Sequence, residues 1–155
     1  MATKKKSAKK RAPAPRARGP KRVPRKQPET LRLRSVSASF TVADLDKSVA
    51  FYRDIVGFVV SDRWEHQGRV MGVELRAGDV MLMLNQDDWS KGRDRQKGEG
   101  FRVYVRTAQK VDEIANRIKA KGGMLTLEPR DMEWGERAFA LQDPDGFKIT
   151  FVQVR

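Results

Sequence analysis

Residues 35–58 read SVSASFTVADLDKSVAFYRDIVGF, a strand, a cap and a helix in immediate succession. From Ser35 to Val42 the pattern alternates without a fault. Ser35, Ser37, Ser39 and Thr41 fall on one face and Val36, Ala38, Phe40 and Val42 on the other, the period of a half-buried strand. Asp44 is placed as an N-cap, Leu45, Val49, Tyr52, Ile55 and Val56 recur at helical spacing, and Gly57 supplies the stop. An apolar strand face followed at once by an amphipathic helix predicts that the two pack together.

Downstream, Phe58 to Ser61, Val70 to Arg76 and Val80 to Asn85 predict three short strands, separated by the turn signals Gln67-Gly68 and Ala77-Gly78-Asp79. Asp87 to Gly98 is polar and reads as an exposed linker and candidate flexible flap. The order then repeats. A strand over Phe101–Arg106 is followed by a helix from about Ala108 to Lys121, with Val111, Ile114, Ala115 and Ile118 on one side and Gly122-Gly123 as its stop. Strands follow near Met124–Leu127, Glu136–Gln142 and Phe147–Val152, the last two joined by the turn Asp143-Pro144-Asp145-Gly146. The fold class is therefore α+β, built from two βαβββ modules. A tail over residues 1–30 precedes a domain over 31–155, with halves at about 34–86 and 100–153 and a linker at about 87–99.

The net charge of +13 is not spread over the chain. Residues 1–34 hold 14 of the 33 Lys and Arg but one of the 20 Asp and Glu, which leaves 19 of each sign for residues 35–155. The tail is Lys, Arg, Ala and Pro with almost no large apolar residue, so it cannot offset the entropy of ordering itself and reads as disordered. Its composition suits either a solvated extension or a non-specific nucleic-acid arm over residues 1–28, with Lys4, Lys5, Lys6, Lys9, Lys10 and Arg11 as the candidate contacts. Zero Cys excludes a disulfide framework, a thiolate metal site and a Cys nucleophile. No window has the apolar length of a membrane span and no apolar core of a secretory signal is present, so the expected location is cytoplasmic, with nucleoid association if the tail binds DNA.

Three stretches carry a resemblance to a known family: Val42 to Phe58, the Gly-terminated second helix, and Trp134-Gly135-Glu136-Arg137-Ala138-Phe139-Ala140-Leu141-Gln142-Asp143-Pro144-Asp145-Gly146-Phe147. Over about residues 34–153 the chain resembles the vicinal oxygen chelate superfamily of glyoxalase I, extradiol dioxygenases and bleomycin-resistance proteins. Its Trp-Gly stretch running into Asp-Pro-Asp-Gly is most similar to the bleomycin-resistance branch. The resemblance implies paired modules forming a curved, cup-shaped mixed sheet with helices on its convex side, a small-molecule site on the concave side, and frequent completion of that site by a homodimer.

The metal-dependent members hold a divalent ion with His or Glu from the first and last strand of each half. Carried onto this chain, those positions fall on Ser37, on Met81 or Met83, on Gly100 or Arg102, and on Thr150. None is a His, Cys, Asp or Glu, and hydroxyl, thioether and guanidinium groups do not replace imidazole or carboxylate donors. No metal and no other cofactor is expected, nor is metal-dependent dioxygenase or glyoxalase I activity. Lone His66, beside Gln67-Gly68, reads as an exposed loop residue.

By alternation the cup surface should include Ser37, Ser39, Met81, Met83, Asn85, Arg102, Tyr104 and Thr150, with Phe101, Val103 and Val105 packed toward the helices. A mainly apolar surface with a few placed polar groups suits a small ligand. Arg102 could meet a carboxylate or phosphate, or pair with a neighbouring acid. Trp64 and Trp134, at corresponding strand-to-loop places, and Trp89 in the linker are candidates to stack on a planar ligand or to seal a core or interface. Glu74 and Tyr104 are the only candidate acid–base groups. The expectation is a metal-free small-molecule binding protein acting by sequestration or sensing. The alternatives are a lyase or isomerase-type enzyme of the same superfamily, and a nucleic-acid-associated protein acting through its tail.

Overall fold

The computed structural model describes residues 35–154, so the tail candidates Lys4, Lys5, Lys6, Lys9, Lys10 and Arg11 lie outside the described residues. The first half consists of β1 (Ala38–Val42), α1 (Leu45–Ala50) running on into a π-helical turn (Phe51–Val56), β2 (Val59–His66), β3 (Arg69–Ala77) and β4 (Val80–Gln86). The second repeats the order with β5 (Arg102–Thr107), α2 (Val111–Ala120), β6 (Leu125–Asp131), β7 (Arg137–Gln142) and β8 (Lys148–Gln153). Each half forms a four-stranded sheet, ordered β1-β4-β3-β2 and β5-β8-β7-β6. Within each, the first and last strands pair parallel and the remaining pairs are antiparallel. The α+β class and the doubled βαβββ module hold.

Asp44 caps α1 as its position predicts, its Oδ1 accepting from the Lys47 amide at 3.0 Å. The helix does not stay α-helical to its end. The amides of Gly57 and Phe58 both donate to the Tyr52 carbonyl at 2.9 Å, and Gly57 takes φ +102°, a value its missing Cβ permits. The Gln86 side chain fastens β4 to α1, accepting from the Leu45 amide at 3.0 Å and donating to the Ala43 carbonyl at 2.9 Å.

One core joins the halves. Phe40, Val42, Val73, Leu75, Leu82 and Leu84 from the first sheet and Val105, Phe139, Leu141, Ile149 and Phe151 from the second pack with Leu45, Val49, Tyr52, Val111, Ile114, Ala115 and Ile118 of the helices. Each Val, Leu, Ile or Phe side chain among them contributes about 1.5–3 kcal/mol through burial. Phe40 stacks on Phe147 at 4.3 Å between ring centroids and meets Phe101 edge-on at 5.9 Å.

Several boundaries differ from the expected ones. β1 starts at Ala38, which places Ser37 ahead of the strand. β5 starts at Arg102, so Phe101 precedes it and stays 45% exposed rather than packing fully toward the helices. β2 and β6 are longer than expected, β2 taking in Trp64 and β6 running through Pro129. Both are outermost strands, where an unpaired backbone edge tolerates charges and a proline.

The linker is also more firmly held than a free flap. Asp87 is buried at 4% exposure, its amide donates to the Val42 carbonyl at 2.9 Å, and its carboxylate takes the Trp89 amide, Arg95 and Lys97. At the linker's far end a Cβ on Gly98 would come within 2.5 Å of the Gly146 carbonyl, so the linker lies directly on the β7–β8 turn.

Candidate functional site

Alternation along the strands leaves one face of each sheet out of the helix-covered core. In the first sheet, Ser39, Met83 and Glu74 share one row, and Thr41, Asn85 and Gly72 the next. In the second, Arg102, Lys148 and Gln142 form one row, Tyr104, Thr150 and Ala140 the next, and Arg106, Val152 and Ala138 a third. Of the candidate residues, Ser39, Glu74, Met81 and Met83 share the first sheet's helix-free face, and Arg102, Tyr104 and Thr150 that of the second. Ser37 and Trp134 belong to neither set of strands.

The tryptophans do not occupy corresponding places. Trp64 lies within β2 opposite Gly72, and its indole covers that glycine so closely that a Cβ there would sit 2.1 Å from the ring. It packs on its own sheet because Gly72 leaves room. Trp134 is 54% exposed in the β6–β7 turn, which closes by a 2.9 Å bond from the Gly135 amide to the Met132 carbonyl. Trp89 serves the linker, with the Arg93 guanidinium 4.8 Å and the Lys97 ammonium 5.2 Å from its ring centroid.

Glu74 is already engaged. Ser61 Oγ and Arg76 Nε each donate to its Oε1 at 2.7 Å, and these bonds, that from Ser61 foremost, hold its carboxyl below the usual range. A carboxylate stabilised in its ionised form is a weaker proton acceptor. Arg76 extends the cluster to Met81, 3.7 Å from its sulfur, and Asn85 Nδ2 donates to Ser39 Oγ at 2.7 Å. Tyr104 is 55% exposed on the other sheet.

The positions where the resemblance implies metal donors bring a hydroxyl, a thioether, a guanidinium and a second hydroxyl, a set that does not fit a divalent first-row ion. Gly100 lies in the loop before β5, which leaves Arg102 as the strand residue there. Among the described residues no three His, Cys, Asp or Glu side chains come together. His66 ends β2, exposed.

Thr150 is only 3% exposed, and its Oγ1 has no hydrogen-bond partner among the described residues. A buried hydroxyl left in that state is costly and uncommon. Beside it lie residues that the sequence reading did not single out. Lys148 precedes Thr150 by two positions and so shares its face, a placement the same alternation predicts. Ala138 and Ala140 come from β7, all of whose residues from Ala138 to Leu141 are buried, so no alternation marks them. At the linker end of the sheet, Lys148 also borders a groove of about 500 Å³ with Arg93, Arg95, Lys97 and Asp145.

The family described as the glyoxalase/bleomycin resistance protein/dioxygenase superfamily matches residues 34–151, and the chain belongs to it. The match is to the superfamily and does not single out the bleomycin-resistance branch. A probable lactoylglutathione lyase of Vibrio cholerae is 32% identical over 123 residues, covering 72% of this chain and 84% of that protein. Another of Synechocystis is 29% identical over 119 residues, 72% of this chain and 88% of that protein. Among solved structures, a superfamily member from Sphaerobacter thermophilus aligns with a TM-score of 0.62 at 25% identity, over 79% of this chain and 98% of the other. TioX from Micromonospora aligns at 0.63 and 22% identity, over 76% and 95%. The expectation against glyoxalase I activity finds no support in relatives that bear the lactoylglutathione lyase name.

Proposed function

We propose that the domain binds a small organic molecule on its helix-free faces, drawn together as a cup and completed by a second copy of the chain, and that it acts by sequestration or sensing. The observation that carries this reading is the buried, unpartnered Thr150 hydroxyl amid Tyr104, Arg102 and Lys148, a polar group in want of a partner at a position where the resemblance implies a metal donor. Glu74, the one carboxylate expected on the cup, is already satisfied by Ser61 and Arg76. The test is a thermal-shift screen of the full chain against small metabolites, with and without Zn²⁺ and Ni²⁺. Stabilisation by a compound in chelator supports the reading. A stoichiometric ion held by protein side chains would overturn it.

The names of the sequence relatives favour a second reading better than this one: a lyase or isomerase-type enzyme of the superfamily. Glu74 or Tyr104 would then serve as acid or base. Formation of lactoylglutathione, measured in chelator and with added divalent ions, separates the two. Turnover that Glu74→Gln abolishes supports an enzyme using that carboxylate, whereas turnover that survives the change discards Glu74 as the base.

A further inference from the structure

We infer that the molecule held by the second sheet is an organic oxyanion, a carboxylate or phosphate monoester, whose charged end is bound by Arg102 and Lys148 and whose oxygen reaches the Thr150 hydroxyl. This rests on the binding reading and specifies its ligand class.

The two cations are register partners on the parallel pair β5–β8 and point to the same face. Like charges directly opposite each other on neighbouring strands are unfavourable. Among the described residues some cations are answered by carboxylates, Arg76 by Glu74, Arg106 by Glu136, Arg137 by Asp112 and Asp131 and Lys119 by Glu128, and others, such as Arg63, Arg69 and Arg117, are not. What marks Arg102 and Lys148 is that they face each other in one row beside a buried hydroxyl without a partner. The ion pairs found among the described residues include neither Arg102 nor Lys148. Arg95 and Lys97, near Lys148 in the linker groove, are turned to Asp87. An anion between Arg102 and Lys148 would relieve their repulsion and take charge-assisted hydrogen bonds from both.

The adjacent row fixes the rest of the ligand. Residues two apart on a strand lie about 7 Å apart, so an acid anchored at Arg102 and Lys148 reaches Thr150 Oγ1 with an oxygen of the same group or one a few bonds away. The half-exposed Tyr104 ring stands next to Thr150 and offers a flat apolar surface for the ligand's body. One row of β5 and β8 thus carries the two cations and the next carries the hydroxyl and the aromatic ring side by side.

Benzoate and phenyl phosphate, with neutral benzamide as control, are titrated calorimetrically into the full chain at constant ionic strength. Because the basic tail also attracts anions, wild type is compared with Arg102→Gln, Lys148→Gln and Thr150→Val, all carrying the same tail. Binding of either anion but not of benzamide, weakened about tenfold by each charge-removing substitution, is expected. Thr150→Val should weaken the anion several-fold while raising the melting temperature of the unliganded protein, since it removes a buried hydroxyl without a partner. The preferred anion tells carboxylate from phosphate. Equal binding of benzamide, or anion affinity unchanged in both Arg102→Gln and Lys148→Gln, overturns the oxyanion assignment and leaves the binding reading standing. Failure of all three probes also overturns it, and the metabolite screen then decides the binding reading separately.

Discussion

The hydroxyl of Tyr52, in the π-helical turn of the first half, donates to Asp143 Oδ2 in the β7–β8 turn of the second at 2.9 Å. The same carboxylate accepts the amides of Asp145 and Phe147 through Oδ1 at 3.0 and 2.8 Å. Two residues on, Asp145 accepts from the Ala43 amide at 2.9 Å and from Ser48 Oγ at 3.3 Å, beside the start of α1. The turn that closes the last hairpin therefore also fastens the first helix. Burial, reinforced by the neighbouring Asp143 charge, pushes the Tyr52 hydroxyl far above its ordinary pKa, and burial likewise raises Asp143.

Replacing Tyr52 by Phe strips one bond from a buried carboxylate and should cost about 1–3 kcal/mol in chemical denaturation. The deficit has a definite pH dependence. The hydroxyl works against the rise in the Asp143 pKa, so its loss raises that pKa further above the unfolded value of about 3.9. A raised folded pKa contributes stability that is present below the unfolded pKa and lost as pH rises through the folded one. The Tyr52→Phe deficit should therefore be largest near neutrality and shrink toward pH 4. A deficit independent of pH would remove Asp143 from the account.

This turn also shows how far the sequence could be read. Asp143-Pro144-Asp145-Gly146 is legible as a turn because its signals are local, but its partners Tyr52, Ala43 and Ser48 lie about a hundred positions away and leave no local mark. The alternation of Ser35 to Val42 overruns the strand because exposed Ser35 and Val36 keep the pattern without a neighbouring strand to pair with. Pro129 hid the length of β6 for the opposite reason, since an edge strand accepts a residue that a central one would not. At the site, the faces of Ser39, Met83, Arg102 and Thr150 follow from period two, whereas the engagement of Glu74 by Ser61 depends on the β2–β3 register.

The linker should open at acid pH and in an Asp87→Asn variant. Lys97 foremost, then Arg95, hold the Asp87 carboxyl well below the usual range. A lowered folded pKa contributes stability present above the unfolded value, about 3.9, and lost as pH falls through the folded value. Exchange of the hydrogen-bonded amides of Trp89, Ser90 and Gly92, corrected for the intrinsic rate, should thus be slow at neutral pH and accelerate only in strong acid. Asp87→Asn should show the fast exchange already at neutrality. Equal exchange in variant and wild type at pH 7 would mean that the Gly98–Gly146 contact alone holds the loop.

Gly72→Val tests the seating of Trp64. Any Cβ at residue 72 overlaps the indole, so the ring must leave its place over β3. We expect a red-shifted tryptophan emission and a loss of about 1–3 kcal/mol, the usual scale for forcing extra volume into a packed position. Gly72→Val combined with Trp64→Ala should recover much of that loss, because the collision is then gone. Additive losses in the double variant would show that Gly72 is required for its backbone rather than for the indole.

The charge partition makes the last prediction quantitative. Residues 1–28 contain 12 Lys or Arg, while residues 35–155 carry 19 of each sign, so any affinity of the chain for DNA should reside in the tail. Binding by counterion release weakens with salt at a logarithmic slope of about −0.9 for each phosphate neutralised. Duplex of unrelated sequence should therefore be bound at low salt and released as salt rises, with a slope that reports how many of the 12 cations engage. Deleting residues 1–28 should abolish this binding and leave the melting temperature of the domain nearly unchanged. If the truncated chain retains salt-sensitive binding, the folded domain contributes the contacts, and the row containing Arg102 and Lys148 is the first place to remove charge.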